Sequence, residues 1–116
     1  MILFKPEHVP MILSGRKTET RRRGRKRWSV GSVHQCQTKM LRNDSVFAHV
    51  RVLDVREAWL FLTTPEDAFR EGYGSVDEFV TVYLAINHVD GQDDAAVDKA
   101  FSEPIWALRF ELVSSP

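Results

Sequence analysis

The sequence predicts an α+β domain in which strands near both ends of the chain enclose a helical middle. Segments of alternating polarity lie before residue 59 and after residue 104, whereas apolar residues at helical spacing occupy the region between them. The elements do not alternate as in βαβ units, and no internal repeat is present. This order favours a small mixed barrel or curled sheet with helices packed on one side.

The first elements are short. The apolar run "MILFKP" is stopped by Pro6 and predicts a strand. In "PEHVPMILSG", Val9, Ile12 and Leu13 recur at helical spacing, and Gly15 stands where helices commonly end. A short helix is therefore expected directly before the basic segment of the chain.

Two longer strands follow. "VGSVHQCQTKM" and "VFAHVRVLDVREAWL" both alternate in polarity, and the polar turn "RNDS" joins them. The second run is long for one strand, so a bend or bulge is expected near Asp54.

The helical middle has clear start and stop signals. In "TTPEDAFREG", Thr64 is the expected N-cap, Pro65 fills the first helical position and Gly72 ends the helix. A second helix is predicted over "SVDEFVTVYLAINHV", where Ser75 is the cap. The acidic segment "DGQDDAAVDK" is predicted to be a loop, and "PIWALRFELV" the closing strand.

Length and composition restrict the class of protein. The 116 residues suit a single domain, residues 1–116, and 43% hydrophobic with 28% charged residues is ordinary globular composition. The lone Cys36 excludes an internal disulfide, and its strand neighbour His34 does not complete a metal-ligand set, so neither a metal nor a cofactor is predicted. No run approaches the ~18 apolar residues of a membrane span, and no signal peptide is recognisable, so we expect a cytoplasmic protein.

The charges are unevenly distributed. The formal net charge is zero, but the segment from Arg16 to Arg27 holds eight basic residues and one carboxylate, hence +7. The remaining eight basic and 15 acidic residues carry −7. Such a basic segment can contact phosphates, and Trp28 beside it can stack on a base. The alternative is a solvated loop that balances acidic helices of the same molecule. The candidate phosphate or nucleic-acid contacts are Arg21, Arg22, Arg23, Arg25, Lys26, Arg27 and Trp28.

The motif "GRKTETRR" resembles the Gly-x-Lys-Thr-x-Thr-x-Arg sequence that opens the ASCH (activating-signal-cointegrator homology) domain, a branch of the PUA-like barrel superfamily. The resemblance extends to "ILFKPEHVPMILSGRKT", "VGSVHQC", "LTTPEDAFREG" and "WALRFEL", and is weakest over residues 90–101. It implies a small PUA-like mixed β-barrel with helices packed at its side.

The resemblance also implies two functions. Many PUA-like modules bind structured or modified RNA, whereas a bacterial ASCH branch hydrolyses the amide of N4-acetylcytidine and related acylated cytosines with a Lys, a Thr and a Glu. Carried over to this chain, those residues are Lys17, Thr20 and Glu71. The chain departs from that branch at Arg21 and in the strongly basic run 23–27. The implied partner is a modified nucleoside, RNA or both.

The chemistry of such a site gives a geometric test. A threonine nucleophile needs a base, and Lys17 can serve only if burial or neighbouring positive charge lowers its pKa. On a regular strand, Lys17 and Thr20 would point to opposite faces, so the backbone between them must bend if they act together on one substrate with Glu71. The alternatives are a binding module without turnover, and an RNase, which is chemically weaker because no His pair or acidic metal cluster is evident.

Overall fold

The computed structural model describes residues 1–114, which form a curled five-stranded sheet with four helices beside it. The strands are β1 (Ile2–Leu3), β2 (Glu19–Arg22), β3 (Val33–Gln37), β4 (Val46–Ala58) and β5 (Ile105–Ser114). The helices are α1 (Val9–Leu13), α2 (Pro65–Glu71), α3 (Val76–Ile86) and α4 (Asp94–Ser102), with single 3-10 turns at Pro6–His8, Asn43–Ser45 and Leu60–Leu62. No helix within residues 1–114 has both the length and the apolar character needed to cross a membrane.

The sheet is a half-barrel. Its strand order is β1-β3-β4-β5-β2, with β1 and β3 parallel and the other neighbours antiparallel. Strands β1 and β2 are therefore the two edges, and one cavity is lined by residues at both of them. We call the gap between these edges the seam. The predicted α+β class, a mixed barrel-like sheet with helices at its side, is confirmed.

The long strand β4 produces the curl. Its register against β5 shifts between His49 and Val50 and again between Val52 and Asp54, so the irregularity expected near Asp54 is confirmed. Bulges increase local twist and bend a strand, which allows 13 residues to follow the curved sheet. The alternating residues Ala48, Val50 and Val52 are fully buried.

Two apolar clusters fix the helices on the sheet. The first fills the inside of the curl and includes Ile2, Phe4, Ile12, Cys36, Ala48, Val50, Leu108 and Phe110. The second packs α2 and α3 against the start of β5 and consists of Leu60, Ala68, Tyr73, Phe79, Tyr83 and Ile105. Members of both clusters line the seam, so its walls are packed against the core of the protein.

Helix α2 is capped at both ends. The Thr64 hydroxyl accepts from the Asp67 N–H at 3.1 Å and the Asp67 carboxylate accepts from the Thr64 N–H at 3.0 Å. Gly72 ends the helix with φ +106°. The predicted cap and stop are confirmed, and the last helical residue is Glu71.

The prediction of an acidic loop was wrong in its second half, which forms α4. Asp93 caps this helix by accepting from the Ala96 N–H at 3.2 Å, and Ala100 is buried while Phe101 packs on the second cluster. Four acidic residues obscured a segment whose alanines favour a helix and whose apolar residues anchor it.

Candidate functional site

A cavity of about 280 Å³ occupies the seam. Its inner wall comes from the β1 end and from β2, and its outer wall from the apolar face of α3. The loop before β2 and the end of α2 close a third side. The residues that line it include Phe4, Lys5, His8, Lys17, Thr20, Arg21, Arg22, Glu71, Tyr73, Phe79, Val82, Tyr83 and Ile86.

Lys17 and Glu71 form a buried ion pair at this cavity. The Lys17 ammonium donates to Glu71 Oε1 at 2.8 Å and to the Glu71 main-chain carbonyl at 3.0 Å. The two residues are 2% and 3% exposed. An ammonium has three N–H groups, so one remains for a hydroxyl or a ligand.

The backbone before β2 explains how Lys17 reaches this position. The Lys17 N–H donates to the Met11 carbonyl at 2.9 Å and the Thr18 N–H to the Arg70 carbonyl at 2.8 Å. Helices α1 and α2 thus hold this stretch, and regular strand begins only at Glu19. The backbone is irregular where cooperation of Lys17 with Thr20 requires it, and both side chains line one cavity.

Thr20 belongs to the regular part of β2, opposite Leu108 of β5, and is 5% exposed. Both hydrogen bonds of the Lys17 ammonium go to Glu71 and neither to Thr20. The structure thus joins Lys17 to Glu71 directly and places Thr20 on the same cavity.

Burial dominates the electrostatics of Lys17. It lowers the pKa of the ammonium, the charge and hydrogen bond of Glu71 oppose that change, and Arg22 and Arg21 lower the pKa further. The net pKa lies below the usual value for lysine. Glu71 stands at a helix C-terminus, where a negative charge is unfavourable, and the nearby cations offset this.

Arg21 organises the carboxylates around the cavity. Its Nη1 lies 2.7 Å from Glu19 Oε2 and 3.0 Å from Glu71 Oε2, and its Nη2 lies 3.3 Å from Asp67 Oδ1. The side chain is buried, so its charge is committed to protein carboxylates. Arg21 thus holds Glu71 Oε2, whereas Lys17 binds Oε1 of the same carboxylate.

Glu19 is the centre of a larger ionic network. This fully buried carboxylate also receives Arg56 Nη1 at 3.0 Å and lies 3.5 Å from Arg70 Nε. Burial raises the pKa of Glu19, but the hydrogen bond from Arg56 and the charge and hydrogen bond of Arg21 outweigh it, so the net pKa is lowered. Glu19 is therefore held as a carboxylate.

His8 and Tyr73 form a second polar pair on the cavity. His8 Nε2 and the Tyr73 hydroxyl are 2.6 Å apart. Burial, followed by the charges of Lys17, Arg22 and Lys5, lowers the pKa of His8 to about 4, and burial raises the pKa of Tyr73 to about 12. At neutral pH the phenol donates to a neutral imidazole.

Arg22 differs from Arg21 in its lack of ion pairs, although the buried Nε of each has no hydrogen-bond partner within residues 1–114. Its guanidinium lies over the Phe4 ring, 4.9 Å from the centroid, and its buried Nε has no hydrogen-bond partner within residues 1–114. In the same part of the chain no carboxylate lies within 4.0 Å of it. Burial lowers the pKa of Arg22, and the charge of Glu71 opposes this only in part.

Among the remaining candidates for phosphate contact, Arg23 shares the cavity with Arg21 and Arg22, and the others lie elsewhere. Arg23 lines the cavity and pairs with Glu103 at 2.6 Å. Trp28 packs against the first apolar cluster. The exposed members are Arg25, Lys26 and Arg27, and Lys26 Nζ lies 6.0 Å from the Trp106 ring centroid. The basic segment is thus divided between the buried network, the cavity and an exposed loop.

No three His, Cys, Asp or Glu side chains of the described region 1–114 are grouped as a metal site requires. Cys36 lies in the first apolar cluster, where burial raises its pKa to about 12, and His34 instead contacts the Ser32 hydroxyl at 2.8 Å.

Sequence reasoning missed several residues of the site. Tyr73 is 65 residues from His8, so no local pattern connects them. Arg56 and Arg70 reach Glu19 from two other elements. The available signal was Glu19 itself, the only carboxylate among eight neighbouring cations.

Three solved structures have the same architecture. A protein from Enterococcus faecalis V583 superposes with a TM-score of 0.71 and 17% identity, over 94% of this chain and 68% of that chain. The ASCH domain from Lactobacillus crispatus JV V101 superposes with a TM-score of 0.65 and 15% identity, over 90% of this chain and 69% of that chain. For the ASCH protein from Zymomonas mobilis the TM-score is 0.61 and the identity 16%, over 98% of this chain and 69% of that chain.

The chain has the ASCH-domain fold. The resemblance expected from the sequence is thereby confirmed at the level of the fold. No protein-family model and no curated protein matches the sequence. In this ASCH fold, the motif "GRKTETRR" comprises the loop before β2 and β2 itself, which form one side of the seam cavity.

Proposed function

We propose that this ASCH-fold protein hydrolyses the amide of N4-acylated cytidine in the seam cavity. The observation that carries the proposal is the buried Lys17–Glu71 pair, with 2.8 Å between its charged atoms, on the same cavity as Thr20. A buried lysine of lowered pKa that lines the same cavity as a threonine hydroxyl is suited to activate a threonine nucleophile. The resemblance to the N4-acetylcytidine amidohydrolases supports the same three residues.

In the proposed reaction, Thr20 Oγ1 attacks the acyl carbonyl carbon while neutral Lys17 takes its proton. The C–N4 bond then breaks, and Lys17 returns the proton to the departing amine of cytidine. Water attacks the resulting threonine ester by the same route and releases the carboxylic acid. Because β2 is a sheet edge, backbone N–H groups on its unpaired side are available to the oxyanion.

Glu71 makes Lys17 available as a base. A proton moved from the ammonium to Glu71 Oε1 leaves a neutral amine, and burial favours this neutral pair over two separate charges. Arg21 holds the other carboxylate oxygen, Oε2, at 3.0 Å. The pair therefore works as a shuttle whose proton returns when the product leaves.

The cavity walls suit a pyrimidine ring. Phe79 and Val82 of α3 supply apolar surface opposite β2, and 280 Å³ is close to the lower limit of the ~300–1,000 Å³ typical of small-molecule pockets. A nucleoside fits this size class better than a long polymer.

The test is cytidine release from N4-acetylcytidine. Wild-type protein is expected to release cytidine, whereas Lys17→Met and Thr20→Val are expected to lower the rate by 100-fold or more, on the order of the contribution of a general base. Arg51→Gln, an exposed change on the far side of the sheet, is the control and retains the wild-type rate. No release by wild type at high enzyme concentration contradicts the proposal.

A second candidate function is RNA binding by the exposed loop. Arg25, Lys26 and Arg27 are exposed, and no carboxylate in residues 1–114 forms an ion pair with them. Contact with single-stranded RNA predicts a log–log salt slope of about −0.7 for each phosphate neutralised. Replacing the three residues by Gln is expected to reduce that slope by about 2, and an unchanged slope excludes this surface.

A further inference from the structure

The cavity contains a cation without a counter-ion. Arg22 lines it, its buried Nε lacks a hydrogen-bond acceptor within residues 1–114, and no carboxylate of that region lies within ion-pair distance. Arg22 is partly buried, and a charge that is withdrawn from water is costly unless it is paired. Most buried polar groups in proteins are satisfied, so the unpartnered Nε of Arg22 calls for an explanation.

The neighbouring arginine shows that the fold can neutralise a cation at this place. Arg21 has ion pairs with Glu19, Glu71 and Asp67, at 2.7, 3.0 and 3.3 Å. These three carboxylates form ion pairs with Arg21, Lys17, Arg56 and Arg70, and none of them pairs with Arg22. Arg22 receives only the face of the Phe4 ring, 4.9 Å away.

The remaining groups near Arg22 also favour an anion. Lys5 lines the same cavity and is exposed. Lys5 directly follows Phe4 at the end of β1, and the Arg22 guanidinium lies 4.9 Å from the Phe4 ring centroid, so both cations lie at the β1 end of the cavity. His8 is uncharged at neutral pH, and that end holds two unpaired cations.

We propose that Arg22, with Lys5, binds the phosphate monoester of a nucleotide, so that the preferred substrate is N4-acylated cytidine monophosphate rather than the free nucleoside. The identity of the base rests on the proposed function. A guanidinium binds phosphate through two parallel N–H bonds, and the ammonium adds a second charge. The phosphate lies at the β1 end of the seam, and the acyl group lies at Thr20.

The test compares binding of cytidine and cytidine 5′-monophosphate by calorimetry. Wild type is expected to bind the monophosphate about 10- to 100-fold more tightly, the range of a charge-assisted contact. Arg22→Gln removes this preference and leaves cytidine binding within about 2-fold, whereas Arg22→Lys keeps part of it. Arg51→Gln is matched in charge and retains the full preference.

Lys5→Gln provides the second variant, because an exposed side chain can be replaced without risk to folding. It is expected to weaken monophosphate binding about 3- to 10-fold without affecting cytidine. Equal affinity of wild type for the two ligands overturns the inference, and so does a preference that survives Arg22→Gln. If Arg22→Gln does not fold, unchanged affinities of the Lys5→Gln variant overturn it.

Failure of this inference is distinguishable from failure of the proposed function. The binding assay uses unacylated ligands, so it does not require hydrolysis. A phosphate preference without hydrolysis of any acylated ligand contradicts the proposed function alone. Hydrolysis of N4-acetylcytidine and its monophosphate with equal kcat/KM contradicts the phosphate site alone.

Discussion

Glu19 Oε2 lies 2.7 Å from Nη1 of Arg21, two positions further along β2, and Glu19 has no exposed surface. Side chains two apart on a strand share a face, so the pair forms without any bend of the backbone. Arg21 in turn holds Glu71, which holds Lys17. The position of the candidate base thus depends on a carboxylate that cannot itself reach the ligand.

Glu19→Gln is expected to lower the free energy of unfolding by about 3 kcal/mol, because three arginines lose the carboxylate that neutralises them inside the protein. Urea denaturation measures this. Glu111→Gln removes the exposed partner of Arg51 and is expected to cost less than 1 kcal/mol. Similar losses in both variants contradict a structural role of the network.

Lys17→Met and Glu71→Gln are expected to differ in stability, although both are expected to slow the proposed hydrolysis. Lys17→Met removes one buried cation and leaves Glu71 paired with Arg21. Glu71→Gln leaves the Lys17 ammonium buried without its counter-ion, so the free energy of unfolding falls by at least 1 kcal/mol more. Parallel urea curves and cytidine-release assays give both quantities. A larger loss for Lys17→Met contradicts the ion-pair assignment.

His8 predicts a pH dependence of stability. Its folded pKa of about 4 lies below the unfolded value of about 6.5, so the unfolded chain binds the extra proton between these limits. Stability therefore decreases as pH falls from 6.5 to 4, by about 3 kcal/mol in total, and this contribution is constant below 4. His8→Gln removes that slope from urea denaturation series, whereas His88→Gln, at an exposed histidine, retains it.

Gly72→Ala tests the close approach of α2 to α1. Gly72 has φ +106°, and an added Cβ would lie 2.8 Å from Met11 Sδ and 3.6 Å from Lys17 Cβ. The strained backbone and the contact together predict a loss of about 1–3 kcal/mol in unfolding free energy, with a fall in hydrolysis as Lys17 shifts. Gly91→Ala, which meets open space, is the control. In the double variant with Met11→Ala the contact with Met11 Sδ is absent. The loss of unfolding free energy that remains then measures the backbone strain at residue 72.

The sequence predicts the fold well because its signals are local. Alternation marks β3, β4 and β5, the Thr64 cap and Gly72 delimit α2, and the length of β4 indicates a bulge. The α4 segment was misjudged, since its acidic composition concealed a capped helix. The strand β2 is only four residues long and very basic, which masked its place at the sheet edge.

The candidate site was less predictable from the sequence. Lys17, Thr20 and Glu71 came from the motif resemblance, whereas the different environments of Arg21 and Arg22 follow from strand geometry that composition does not reveal. Contacts such as His8 with Tyr73 span more than half of the chain. Their formation depends on the tertiary fold.

The two walls of the seam carry different proposed roles, chemistry on one and ligand selectivity on the other. The groups proposed for chemistry belong to β2 and the end of α2, where the ionic network fixes them. The outer wall belongs to α3, where the aliphatic side chains of Val82 and Ile86 line the cavity. Substitutions at Val82 and Ile86 are expected to change which base or acyl group is accepted while leaving the ionic network in place, so these positions of α3 are where new selectivity can evolve or be engineered.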